Sequence, residues 1–369
     1  MDKNNGAIYD ARKLGKPKMI ILGIQHMFAM FGATILVPII TGLDISTTLL
    51  MAGLGTLLFH CITKFKVPAF LGSSFAFLGG YAAIKALAPD DPNSMLPYAC
   101  LGVACAGLVY FILAAIIKAV GIEKVMRFFP PVVTGPIIIA IGLGLAPSAV
   151  SNCTTNWLLA FVALAAIVIF NIWGKGMAKI IPIILGLLIS YGVGLVLYFI
   201  SQANPDLIQN VPWLFSGGAD ANGVYQPIFD FTSVNTICDN IAKGNIFGSE
   251  GLIGIPIHWE QTVFGGIDYS NTALIASSII AIVPIAFATM MEHIGDICAI
   301  SSTTGNNYIQ DPGLHRTLTG DGLATTVASL FGGPANTTYG ENTGVLALTK
   351  VYDPRVIRIA AFFAVGVSF

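Results

Sequence analysis

Read from its amino terminus, the chain alternates long uncharged apolar runs with short charged links. The runs cover residues 19–41, 45–63, 67–84, 96–117, 131–149, 157–172 and 180–200. A bilayer-spanning helix uses about 20 residues, so these predict seven spans. An eighth, at 273–300, contains charges. Two shorter, interrupted segments follow at 322–333 and 335–349, and an eleventh begins near Val356. The first run is too long for the apolar part of a cleaved signal peptide, and six further spans follow it.

Composition agrees with this pattern. Of 369 residues, 55% are hydrophobic and only 10% charged, against about 25% charged in a soluble domain. The mean hydropathy of +0.79 leaves too little polar surface for a water-soluble body, so the expected class is an all-α polytopic membrane protein in contact with a lipid bilayer. A net charge of -1 argues against a nucleic-acid partner, whose phosphates require a clustered basic surface. With the amino terminus in the cytoplasm, all 18 Lys and Arg except Lys85 and Lys243 fall on the inner side, as the positive-inside rule requires.

The segment 201–270 is the one long extramembrane stretch. It carries Asp206, Asp220, Asp230, Asp239, Glu250, Glu260 and Asp268 against a single Lys243, and is expected outside. Cys153 and Cys238 fall in outer segments, where they either pair under oxidising conditions or remain two thiols. Cys61, Cys100, Cys105 and Cys298 lack metal-ligand spacing and read as small buried hydrophobes. No metal and no cofactor is expected.

Three acids lie within or against apolar segments: Glu292 and Asp296 in the eighth span, and Glu341 in the tenth. An acid in hydrocarbon costs about 2.5 to 3.5 kcal/mol on insertion scales, and such residues mark ion or substrate pathways. Glu292 and Asp296 stand four residues apart and share one helical face, with Cβ atoms about 5–6 Å apart. Two carboxylates held that close, away from water, share a proton rather than both ionise. His293 points elsewhere on the helix and reads as a packed or hydrogen-bonded histidine.

A second signal is irregular sequence where helix is expected. Val67-Pro-Ala-Phe-Leu-Gly-Ser-Ser-Phe and Gly333-Pro-Ala-Asn-Thr-Thr-Tyr-Gly-Glu share a recipe: Pro and Gly, a hydroxyl pair (Ser73-Ser74; Thr337-Thr338), then an aromatic (Phe75; Tyr339). Unwound backbone at membrane depth survives only where protein buries it or a cavity adjoins it, and matching breaks in two halves point to a transporter binding site. The breaks fall in spans 3 and 10. A separation of seven, an odd number, makes the two copies inverted.

At these residues the chain resembles the nucleobase-ascorbate transporters, also called nucleobase:cation symporters, and most closely their bacterial uracil:proton symporters. The resemblance rests on Gln25-His-Met-Phe-Ala-Met-Phe-Gly-Ala-Thr, Pro68-Ala-Phe-Leu-Gly-Ser-Ser-Phe-Ala-Phe, Glu292-His-Ile-Gly, Asp311-Pro-Gly-Leu-His-Arg and Asn336-Thr-Thr-Tyr-Gly-Glu-Asn. Glu341-Asn-Thr-Gly-Val-Leu-Ala-Leu-Thr-Lys also fits the family signature. The similarity spans about residues 18 to 369, the long outer segment excepted.

The resemblance implies fourteen spans in an inverted 7+7 repeat, with a core domain of spans 1–4 and 8–11 and a gate domain of spans 5–7 and 12–14. On this chain the core comprises 1–130 and 271–369, the gate part 131–200 and the outer loop 201–270. Short strands are expected in spans 3 and 10. Since the chain closes within span 11, residues 1–369 are expected to be a fragment that does not transport alone. Glu292 and Glu341 would accept hydrogen bonds from the ring N–H groups of a base. Backbone amides at Phe75 and Gly340 would donate to its carbonyls, with Ser74 beside them. The rings of Phe75 and Tyr339 would enclose it, and His26 and Asn342 are supporting positions. Proton coupling would involve Glu292, Asp296 and Glu341.

Uracil offers two N–H donors and two carbonyl acceptors on a flat neutral ring, which carboxylates and free helix-start amides complement. The expected function is uracil import by proton symport across the cell membrane, with uracil and a proton as partners and a homodimer as one possible assembly. Glu341 opening the signature favours uracil, since purine-transporting relatives usually carry Gln there. Asp296 stands where uracil carriers often have His and matches the purine and ascorbate branches, so a xanthine or purine permease is the alternative. An anion transporter of the related sulfate carrier fold would prefer a basic residue facing the site where Glu341 stands. An intramembrane hydrolase lacks its motifs: no metal-spaced His pair or Gly-x-Ser-x-Gly elbow occurs.

Overall fold

Helix α1 (Lys16–Thr41) begins where Gly15 takes a positive φ and Pro17 pre-sets the first turn, and it stops at Gly42 in the left-handed region. Asp44 then caps α2 (Ile45–Ile62), its carboxylate accepting from Thr47 N at 2.6 Å. This computed structural model describes residues 7–121, 123–124, 149–175, 182–220, 222–242 and 254–369, with positions 136, 139, 143, 146, 147 and 178 between them. The run expected at 131–149 lies largely outside the described residues, as do Lys3, Arg127, Lys179 and Lys243.

The chain divides into two compact units, Met1–Ile141 with Ile255–Phe369, and Gly142–Gly254. Beyond α2 the first unit continues through strand β1 (Leu71–Ser73), a 3-10 turn at Phe75–Phe77, α3 (Leu78–Lys85) and α4 (Leu96–Val120). In the second, α5 (Trp157–Trp173) is capped by Asn156, which accepts from Leu159 N at 3.0 Å. It packs on α6 (Pro182–Ala203). A hairpin of β2 (Ser216–Ala219) and β3 (Tyr225–Pro227) follows, then α7 (Thr232–Ala242). The stretch expected as an outer loop therefore carries regular structure over much of its length. Cys153 and Cys238 are both free thiols.

The first unit resumes with α8 (Thr272–Ile282) and α9 (Ala286–Thr304), joined at Pro284, which removes a backbone donor. Helix α10 (Leu314–Leu330), strand β4 (Asn336–Thr338), α11 (Gly340–Thr349) and α12 (Pro354–Val367) complete it. The short segment expected from Gly322 begins instead at Leu314, because the helix runs straight through the buried Asp321. Among the described residues, the helices at Lys16–Thr41, Ile45–Ile62, Pro92–Val120, Leu185–Ala203 and Thr272–Thr304 are long and apolar enough to cross a bilayer. Phe75–Lys85 and Trp157–Trp173 are shorter apolar helices.

The centre of the first unit is a two-stranded antiparallel ribbon of β1 and β4, with Leu71 opposite Thr338, Gly72 opposite Thr337 and Ser73 opposite Asn336. Two strands leave two unpaired edges, a costly state away from water, and side chains from α2 and α10 close them. Thr56 on α2 accepts from Leu71 N at 2.9 Å and donates to Leu71 O at 3.3 Å. On the other edge, Asp321 accepts from Thr338 N at 3.0 Å, and Thr325 donates to Asn336 O at 2.9 Å. Helix packing around the ribbon follows the same pairing: α4 lies on α8 and α10, while α12 lies on α1 and α2.

At one end of this unit, residues 7–14 form a strap. Ile8 bridges Val351 in parallel, with Ile8 N donating to Lys350 O and Tyr352 N to Ile8 O, both at 2.8 Å. Tyr9 donates to Thr304 O, the last residue of α9, at 2.7 Å. Arg355 donates to Asp10 at 3.0 Å.

Candidate functional site

Because the two strands run antiparallel, the helices they lead into start from opposite ends of the ribbon. Ser74 and the Phe75–Phe77 turn follow β1, and Tyr339 and α11 follow β4. The chain crosses over at each end: Ser74 N donates to Ala335 O at 2.9 Å, and Tyr339 N to Phe70 O at 3.0 Å. Past these bonds the first amides of each helix have no intrahelical acceptor, so Phe75 N and Gly340 N lie where a helix presents free N–H groups to an acceptor.

Glu292 and Asp296 stand half-buried on α9, which packs on β4 and α11. Asp296 Oδ2 accepts from the Thr338 hydroxyl at 3.0 Å. A Cβ built on Gly340 would sit 3.3 Å from Asp296 Oδ1, so the glycine allows the start of α11 to approach the carboxylate. Glu341, one residue on, is exposed. The structure thus brings Asp296 of α9 against the start of α11, the helix that carries Glu341.

Tyr339 is buried and its hydroxyl is occupied: it donates to Ser73 O at 2.8 Å and lies 3.3 Å from Thr34 Oγ1. Its ring covers Gly72, where an added Cβ would come within 2.6 Å of two ring carbons. Phe75 is half-buried. Ser74 is buried with no protein partner for its hydroxyl, as is Asn342 for both amide atoms. His26, fully buried on α1, has no protein partner at either ring nitrogen. Orphaned buried polar atoms are rare, and these belong to residues singled out from the sequence.

One acid was missed. Asp321, not among the three acids expected within or against apolar segments, is fully buried within α10. Its Oδ1 serves Thr338 N, and its Oδ2 lies 3.2 Å from His293 Nδ1. The available signal was its place among Gly320, Gly322 and the small residues beyond, an acid inside a helix of low polarity. No group of three or more His, Cys, Asp and Glu arranged to hold a metal occurs among the described residues.

Long apolar helices around a buried ribbon, with a half-buried carboxylate against the helix start that follows β4, are the features of an integral membrane transporter. The comparisons agree. Residues 17–369 match the profile described as Permease family. The uracil permease of Bacillus caldolyticus is 38% identical over 95% of this chain and 71% of its own length. The probable uracil permease of Haemophilus influenzae is 37% identical, over 97% and 75%, and the uracil permease of Bacillus subtilis 36%, over 95% and 71%. Among solved structures, the transmembrane domain of a cyanobacterium bicarbonate transporter, BicA, matches with a TM-score of 0.53 at 14% identity, covering 95% of this chain and 81% of that one. That likeness concerns the fold. This chain belongs to the permease family: it is a multi-pass membrane transporter and not an enzyme.

Proposed function

We propose that this protein imports uracil across the cell membrane by proton symport. The observation that carries the reading is Asp296, hydrogen-bonded to Thr338 and set against Gly340 where α11 begins, with Glu292 one turn before it on α9 and Glu341 one residue beyond Gly340. That set offers acceptors for ring N–H groups and donors for ring carbonyls, the complement of uracil. The relatives called uracil permeases, at 36% to 38% identity, support the substrate.

Glu292 and Glu341 accept from the base, Phe75 N and Gly340 N donate to it, and Phe75 covers its face. Ser74, His26 and Asn342 supply buried polar atoms at the rim. Tyr339 acts through its fixed ring. A proton taken up by the Glu292, Asp296 and Glu341 set removes a charge from the site as the neutral base enters, which lowers the desolvation cost of the loaded state.

The proposed architecture is an inverted repeat of seven spans. Under an exchange of span n for span n+7, the packing of α4 on α8 maps onto that of α12 on α1. Likewise α4 on α10 maps onto α12 on α2, while α2 with α10 and β1 with β4 map onto themselves. The proposed core comprises residues 1–130 and 271–369, with 131–200 in the gate and the amino terminus in the cytoplasm. Asp296 favours the second reading, a proton-coupled xanthine or purine permease on the same scaffold.

The test is labelled uracil uptake into vesicles carrying the full-length protein, with an imposed proton gradient and xanthine as competitor. Accumulation that a protonophore abolishes, and that excess xanthine leaves intact, is expected. Uptake indifferent to the collapsed gradient overturns symport, and competition by xanthine at uracil-like concentrations favours the second reading.

A further inference from the structure

The sequence reads His293 as a packed or hydrogen-bonded histidine, and the structure shows both. The ring is buried on α9, edge-on to Phe59 of α2 at 6.4 Å between centroids. Its Nδ1 lies 3.2 Å from Thr338 Oγ1 and 3.2 Å from Asp321 Oδ2. Thr338 Oγ1 in turn donates to Asp296 Oδ2 at 3.0 Å.

A hydroxyl carries one hydrogen, and that of Thr338 is directed at Asp296. Toward His293, therefore, Thr338 Oγ1 is the acceptor and Nδ1 holds a hydrogen, while Asp321 Oδ2 stands at ion-pair distance without a hydrogen-bond partner. In the neutral ring this leaves Nε2 bare, and Nε2 is buried without a protein partner. A bare basic nitrogen there, with a carboxylate 3.2 Å from the other nitrogen of the ring, is a place to hold a proton.

We propose that His293 shares the transported proton with Asp296 through the Thr338 hydroxyl, with Asp321 as the fixed counter-charge. This rests on the symport reading above. The excess proton enters at Nε2 and makes the imidazolium. The Nδ1–H bond then breaks as its proton passes to Thr338 Oγ1, while the proton already on Thr338 passes to Asp296 Oδ2. The ring is left neutral with its hydrogen on Nε2, Thr338 is unchanged, and Asp296 becomes the acid. No further reactant is needed.

Other titratable groups stand near these residues. Glu292 precedes His293 on α9, and Glu341 is the second residue of α11, which packs on α9. Tyr110 on α4 donates to Thr289 at 2.6 Å, and His60 on α2 meets Ala69 O at 2.9 Å through Nε2. Among these, His293 is the base joined by hydrogen bond to a hydroxyl that also holds an acid.

The experiment compares wild type with His293→Asn, whose amide nitrogen replaces the Nδ1 donor but offers no second nitrogen. Uracil binding to purified protein is measured from pH 5.5 to 8.5, beside proton-driven accumulation and uracil-for-uracil exchange in vesicles. One coupled proton weakens wild-type binding by up to about tenfold per pH unit above the titration point. In His293→Asn, where Asp296 still takes up the proton, the binding slope is expected to be kept, with exchange retained and the rate of proton-driven accumulation lowered at least about tenfold. Thr338→Val is expected to slow accumulation alike and Thr338→Ser to keep it, and this pair decides the matter if His293→Asn does not bind at any pH. Wild-type accumulation in His293→Asn, or equal accumulation in the two Thr338 variants, overturns the proposal while leaving symport standing. A wild type without pH slope or proton-driven accumulation overturns symport, and this proposal with it.

Discussion

The hydroxyl of Tyr339 donates to the backbone carbonyl of Ser73 at 2.8 Å, so the aromatic of one broken span is anchored by the strand of the other. The phenol is thereby a tie between the halves of the ribbon, and its ring is a wall with no free polar tip.

Removing this tie leaves a buried carbonyl unpaired, at a cost of about 1–3 kcal/mol. Tyr339→Phe is expected to lower the thermal stability of the purified protein by that order. Gly72→Ala, which drives a methyl to within 2.6 Å of the Tyr339 ring, adds overpacking of about 1–3 kcal/mol and is expected to impair uracil binding as well. Unchanged melting of both variants would remove the tie from the account.

The single Thr56 hydroxyl satisfies both the N–H and the carbonyl of Leu71. Thr56→Val keeps the shape and orphans both groups, so a loss of about 1–3 kcal/mol is expected, with Thr56→Ser close to wild type. Thermal unfolding in detergent distinguishes the two.

Asp321 performs the same service on the opposite edge and carries charge besides. Asp321→Asn retains an acceptor for Thr338 N, whereas Asp321→Ala leaves that donor bare. The alanine variant is expected to be the less stable by about 1–3 kcal/mol. Equal stability would place the acid's contribution in its charge alone.

At the proposed binding acids, Glu292→Gln replaces a charged acceptor with a neutral one. Hydrogen bonds to charged groups contribute about 1.5–3 kcal/mol, so uracil affinity is expected to fall roughly ten- to hundredfold. Glu341→Gln is expected to weaken uracil more than xanthine, read by competition binding. An unchanged preference would deny Glu341 a role in specificity.

The strap supplies a pH expectation outside the membrane. A hydrogen bond from Arg12 holds the Asp10 carboxyl well below the usual carboxylate range. A depressed value in the folded state means that the contribution is present above the unfolded value and is lost only as pH falls through the folded one. Protease access to residues 7–14 is therefore expected to stay constant between pH 7.5 and 5, and to rise in Asp10→Asn at both.

Much of this was legible along the chain, and particular residues say why. Glu292, Asp296 and Glu341 were visible because a charge inside an apolar run has no local explanation. The two breaks were visible because Pro, Gly and paired hydroxyls interrupt helix propensity wherever they stand. Asp321 escaped because it borders Gly322, where a charge looks like a boundary, and its partner Thr338 N is 17 residues away across a turn. His293 reads from the sequence as packed or hydrogen-bonded and is both, but that its hydrogen-bond partner is Thr338, 45 residues on, is not legible along the chain.

The sequence by itself determined the membrane class, the broken segments at 67–75 and 333–341 and the acids in or near them, since hydropathy, charge and backbone propensity are local quantities. Only the tertiary structure decided that Leu71 faces Thr338, that Thr56 and Asp321 close the two ribbon edges, and that one threonine hydroxyl joins His293 to Asp296. Those relations depend on hydrogen-bond partners brought within about 3 Å by the packing of α2, α9 and α10 around two short strands, a distance that no spacing along the chain encodes.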